Sequence, residues 1–162
     1  MPGIQDINRN DLGVMGAGAL AFIASFFPYW GYTFGPLDVS INAWHSYAVL
    51  GLLLVFLGAI VIAIKTFAAS SMPSMPVGLH VLAAGLAALG TLLLVLRAFT
   101  YPHHNFGSGA SYGVKWGAYV LFVFAIAEVV FALLGMRESG EKVAWQSTGT
   151  ASPPPPAAPP TV

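Results

Sequence analysis

The sequence predicts an all-α integral membrane protein, an antiparallel four-helix bundle followed by a disordered proline-rich tail. Three observations lead there. Apolar runs at 12–27, 46–64, 77–96 and 116–136 each approach the roughly 17–25 residues that a helix needs to cross the hydrocarbon core. Of 162 residues only 7% are charged and 57% are hydrophobic, with a mean hydropathy of +0.76, whereas a soluble domain carries about 25% charged residues. After Met136 the composition turns polar and then low in complexity, with prolines concentrated in 153–160, a pattern that favours a solvated polyproline II segment.

The chain divides accordingly. Residues 1–11 form a cytoplasmic N-terminal segment and 12–136 a transmembrane domain with spans at 12–28, 46–64, 77–96 and 116–136. Residues 137–162 form a disordered Pro/Ala-rich cytoplasmic tail. The first span follows Arg9 and runs into Phe26, Phe27, Pro28, Tyr29 and Trp30. Those aromatics suit a membrane interface rather than the small-residue site that ends a signal peptide, so this span is expected to be retained. The connection 65–76, with Ser70, Ser71, Pro73, Ser74 and Pro76, is a short breaker-rich turn. The two longer connections hold Phe34 and Trp44, and Phe99, Tyr101, Phe106 and Tyr112, rings that prefer the headgroup level. These connections are expected to lie along the membrane surface.

Basic residues orient the bundle. With the N-terminus inside, Arg9, Lys65, Arg137 and Lys142 are cytoplasmic, and Arg97 and Lys115 are outside. The excess of Lys/Arg marks the cytoplasmic side, and an even number of spans keeps both termini there.

Composition also removes function classes. A net charge of zero argues against a nucleic-acid partner, which requires a basic face. The absence of cysteine removes disulfides, thiolate catalysis and lipidation on sulfur. No HExxH, GxSxG or Walker pattern occurs, so neither an enzyme nor a cofactor is expected. Gly16, Gly18 and Ala21 match a dinucleotide fingerprint by letter, but within an apolar helix rather than at the strand-to-helix turn where it works. Pro156 to Pro159 has the PxxP spacing of polyproline ligands without a nearby basic residue.

Within lipid, helices associate where small residues allow close approach. Gly13, Ala17 and Ala21 offer such a face on helix one, and Ala83, Ala87 and Thr91, beside Ala84 and Ala88, on helix three. Helices one and three are therefore expected to form the tight centre.

Seven positions carry the polar chemistry. Glu128 lies about 12 Å inside the cytoplasmic end of helix four at 1.5 Å per residue, and His80 stands in the first turn of helix three. Their meeting requires both side chains to lean together. A polar lock between helices is favoured over a proton- or ion-linked site, because a transport path needs several such groups. Arg97 ends helix three, where a long stem can snorkel as an interfacial anchor. His45, His103, His104 and Asp38 are the available imidazole and carboxylate ligands on the outer face, but their spacing fits no metal motif and no metal is expected.

The segments "ASFFPYWG", "NAWHSYAVLGLLLVFLGAI", "TLLLVLRAFTYP" and "KWGAYVLFVFAIAEVVFALLGMRESGE" resemble small four-span membrane proteins of actinobacteria. The resemblance covers about residues 10–145 as a pattern of spans and interfacial aromatics and brings no active site with it. It implies a bacterial plasma membrane and an accessory role in cell-envelope or division machinery. The resulting expectation is a non-enzymatic scaffold or accessory subunit whose partners are the bilayer and a membrane protein or further copies of itself. The alternative is a small proton- or ion-linked transporter or channel component using Glu128 and His80.

Overall fold

The computed structural model describes residues 7–68, 78–100 and 110–141. Its elements are α1 (Arg9–Ala24), β1 (Trp30–Phe34), β2 (Leu37–Ile41), α2 (Ala48–Phe67), α3 (Leu79–Phe99), β3 (Ala110–Val114) and α4 (Trp116–Ser139). The protein is mostly helical. Helices α2, α3 and α4 are long and apolar enough to cross a membrane, while α1 has 16 residues. The Lys142–Val162 stretch, His103, His104 and the serines and prolines of 69–77 lie outside the described residues.

Helix ends follow from local chemistry. Asn8 caps α1 by accepting from the Asn10 N–H at 2.8 Å, which satisfies one of the unpaired amides of the first turn. Gly140 closes α4 in the left-handed region, with φ 67°, the conformation glycine adopts without steric cost. The last helix thus runs past 136, and the expected tail boundary at 137 is corrected by three residues.

On α3 the buried apolar residues are mostly small and the exposed ones large. Ala83, Ala87, Gly90 and Ala98 of α3 are buried, whereas Leu82, Leu89, Leu92, Leu96 and Phe99 are exposed. Close backbone approach needs the small residues inside, and leucine outside costs nothing in lipid. The helices pack in the cyclic order α1, α2, α3, α4, with α1 and α3 on opposite corners. The expectation of a tight centre between helices one and three is therefore corrected. Their small residues face α2 and α4 instead. A Cβ on Gly13 would lie 2.5 Å from the Phe131 ring of α4, and one on Gly51 of α2 would lie 2.8 Å from the Gly90 carbonyl of α3.

A second correction concerns fold class. The bundle is not all-α: β1, β2 and β3 form a three-stranded antiparallel sheet in the order β2-β1-β3. Trp30, Tyr32, Phe34, Leu37, Val39 and Ile41 alternate with Gly31, Thr33, Asp38 and Ser40, which is the period-two pattern of an amphipathic sheet. Gly35, with φ 55°, and Pro36 make the two-residue hairpin turn. Trp30 and the partly buried Tyr32, Ile41, Tyr112 and Val114 pack onto one end of the bundle core. Residues 30–41 and 110–114 thus fold into a cap, where loops lying on the membrane were expected.

Tyr29 joins cap to bundle. Its N–H donates to the Ile41 carbonyl at 2.8 Å and its carbonyl accepts from Lys115 N–H at 3.0 Å, while its buried hydroxyl donates to the Leu94 carbonyl of α3. Ser25 fastens the other side: its carbonyl accepts from Ala43 N–H at 3.1 Å and its Oγ accepts from Trp44 Nε1 at 3.0 Å.

Candidate functional site

At the end of the bundle opposite the sheet, every helix brings one polar group to the same place. His80 of α3 is the hub. Its Nε2 lies 2.7 Å from Asp11 Oδ1 of α1 and its Nδ1 lies 3.1 Å from Glu141 Oε1, just beyond α4. Lys65 of α2 donates to Asp11 Oδ2 at 3.3 Å and lies 3.2 Å from His80 Nε2. Ser139 Oγ is 3.3 Å from His80 Nδ1. The side chains of His80 and Asp11 retain only 3% and 9% of their exposure, so each needs the other's hydrogen bonds to offset desolvation.

Glu141 has a second task. Gly78, the N-cap of α3, has no side chain to offer, and Glu141 Oε2 accepts from the backbone N–H of His80 at 3.0 Å and of Val81 at 3.3 Å. A carboxylate from 60 residues downstream thus caps the helix and sits at the positive end of its dipole. The sequence reading singled out His80 but none of Asp11, Lys65, Ser139 and Glu141. The available signal was their shared position at the helix ends, one group per helix.

Glu128 does not join this cluster. His80 packs on Gly135, where an added Cβ would lie 2.5 Å from the ring, and Gly135 is two turns, about 10 Å, along α4 from Glu128. The leaning together that a Glu128–His80 contact requires does not occur, and both nitrogens of His80 are occupied by other groups. Glu128 is wholly buried, and neither carboxyl oxygen has a hydrogen-bond partner. Its head fills a niche left by two glycines. A Cβ on Gly58 would lie 2.8 Å from Oε1 and 3.1 Å from the Ala83 carbonyl, and a Cβ on Gly18 would lie 3.1 Å from Oε2.

The remaining candidates separate. Arg97 is buried at 8% exposure, with its guanidinium 5.0 Å above the Tyr47 ring, a cation–π contact that holds the end of α3 to the start of α2. Asp38 is committed to Lys115 Nζ at 2.5 Å and to Thr33 Oγ1 at 3.2 Å. The hydrogen bond from Lys115 holds the Asp38 carboxyl below the usual carboxylate range. His45 Nδ1 lies 3.2 Å from Asn42 Oδ1 on the exposed surface. Among the described residues no group of three His, Asp or Glu side chains is arranged to hold a metal. Ala17, Ala21, Ala83 and Ala87 are buried, and Thr91 donates its hydroxyl to the Ala87 carbonyl at 2.7 Å.

No protein-family model matches the chain, and no curated protein sequence matches it.

Proposed function

We propose that all four helices cross a bacterial plasma membrane and that the protein acts as a non-enzymatic scaffold or accessory subunit. In this reading it serves the cell-envelope or division machinery, with a membrane-protein partner or further copies of itself. The observation that carries the membrane half is the sorting of residues along the bundle axis. Exposed Phe26, Phe27, Tyr47, Phe99, Trp116 and Tyr119 gather at the sheet end, which suits a headgroup-level belt, and Asp11, Lys65, His80 and Glu141 gather at the other. Helix α1 is short by count but begins at the polar junction through Asp11 and ends at the belt through Ser25 and Trp44. It runs between the same two ends of the bundle as its neighbours.

The scaffold half is supported by how the polar groups are used. Those of the junction tie helix to helix, and Lys115, Asp38 and Thr33 tie strand to strand. The sheet then stands as a stiff platform on the outer side, with both termini cytoplasmic as the Lys/Arg bias favours. The resemblance to small four-span proteins of actinobacteria supplies the compartment.

Reporter fusions at positions 107 and 145 test the topology, and opposite-side signals are expected. Same-side signals would remove the four-span reading. Affinity purification from native membranes tests the role: a stoichiometric membrane-protein partner or self-association is expected. A purified monomer that moves ions across liposomes and binds nothing would sink the scaffold reading.

A further inference from the structure

The polar junction is internally paired, the sheet's Lys115 is matched by Asp38, and the outer grooves between helices are lined by residues that lipid can cover. Glu128 is the group left over. A carboxyl without a hydrogen-bond partner, at zero exposure, is a position that apolar packing would fill at less cost. Yet two neighbouring helices keep glycines beside it: a Cβ on Gly58 of α2 would strike the carboxyl at 2.8 Å, and one on Gly18 of α1 would meet Ala59 and crowd the carboxyl at 3.1 Å.

We propose that Glu128 is a proton-binding site at the crossing of α1, α2 and α4, and that release of its proton requires these helices to part at Gly18 and Gly58. A proton suits this niche better than a metal ion. A hard cation takes about six or more oxygens, whereas the two positions that face the head, Gly18 and Gly58, offer no side-chain oxygen. A proton needs no coordination shell. It converts the head from an ion into a neutral acid that the dry niche tolerates, and it departs only once water reaches the oxygens.

Other charges stand off from the site. Those of the packed helices are Arg9 and Asp11 on α1, Lys65 on α2, His80 and Arg97 on α3, and Arg137 and Glu138 on α4. Asp11 lies seven residues before Gly18 and Lys65 seven after Gly58, which places the junction two turns, about 10 Å, away along the helices. The proposal rests on the transmembrane placement argued above but not on the scaffold role. Reporter fusions can fail without any change at Glu128, and the measurements below can fail with the topology intact.

The experiment uses the full chain in lipid nanodiscs. Infrared spectra of protein carrying 13C-labelled glutamate isolate three residues, Glu128, Glu138 and Glu141, and difference against Glu128→Gln assigns the buried one. Because the chain has no cysteine, spin labels at Leu57→Cys on α2 and Leu133→Cys on α4 report their separation without background. A carboxylic-acid band from Glu128 is expected near neutral pH. Its loss on titration toward about pH 10, beyond the ordinary carboxylate range, should coincide with a lengthening of the α2–α4 distance by about 2 Å, the scale of a helix shift. Glu128→Gln should hold the short distance throughout. If that variant does not fold, the isotope-shifted band and the distance in wild type still decide the matter. Absence of the acid band at neutral pH, its loss at fixed distance, or its persistence throughout the titration at fixed distance would each overturn the proposal.

Discussion

Replacing Glu141 by Ala should destabilise the bundle although the residue lies outside every helix. Three acceptor contacts disappear: two to the backbone amides of His80 and Val81, and one to His80 Nδ1. Loss of a helix N-cap costs about 1 kcal/mol, and loss of a charge at the positive end of the dipole costs about 0.5 kcal/mol. The bond to His80 is worth about 1 kcal/mol more, but Ser139 Oγ at 3.3 Å from the same nitrogen is placed to replace part of it. The Glu141 side chain keeps 19% exposure, so water screens the charge to a modest degree. The sum is about 2 kcal/mol for Glu141→Ala. Glu141→Gln keeps an acceptor for the cap and should lose about half of that. Denaturant titration of the full chain in detergent, followed by helical circular dichroism, measures both. An Ala variant within about 0.5 kcal/mol of wild type, the range of ordinary surface substitutions, would refute the assignment of Glu141 as the cap of α3.

Gly58→Ala should cost about 1–3 kcal/mol through overpacking, since its Cβ meets Glu128 and the Ala83 carbonyl, whereas Gly85→Ala, with nothing within 4 Å, should be neutral or stabilising in the same titration. Ala87→Leu, at a fully buried position, should lose a comparable 1–3 kcal/mol, while Leu89→Ala on the exposed face should change the melting midpoint little. Tyr29→Phe removes the hydroxyl bond to Leu94 and should cost about 1 kcal/mol, with the sheet end loosening first in hydrogen exchange. Asp38 should titrate below the usual carboxylate range in a carbonyl-detected NMR experiment, and Lys115→Met should return it there. Because its folded pKa is the lower one, any stability it contributes is present above its ordinary value of about 3.9 and is lost as pH falls through the folded value.

What could be read along the chain was what adjacent residues decide together. Apolar runs of bilayer length, small residues at four-residue spacing and a breaker-rich turn are local patterns, and the helices at Ala48–Phe67, Leu79–Phe99 and Trp116–Ser139 follow from them. The hairpin was legible too, in the alternation from Trp30 to Ile41 around Gly35-Pro36, but the same aromatics also suit an interfacial loop. Pairing with β3, some 70 residues later, resolves that ambiguity by giving the backbone a ladder and the apolar face a core to cover.

The site was legible only as separate letters. Glu128 and His80 stood out because ionisable groups are rare in apolar runs, yet sequence spacing says nothing about which corner of a bundle a helix occupies. With α1 and α3 on opposite corners and His80 turned toward the helix ends, Asp11, Lys65 and Glu141 satisfy His80 from three other elements, while Glu128 faces two glycines. Composition and length determine that a segment is apolar and long enough to cross a membrane. Which polar groups meet there depends on contacts between residues far apart in the chain, such as Asp11 and His80, 69 positions apart, and only the packing of whole helices fixes those.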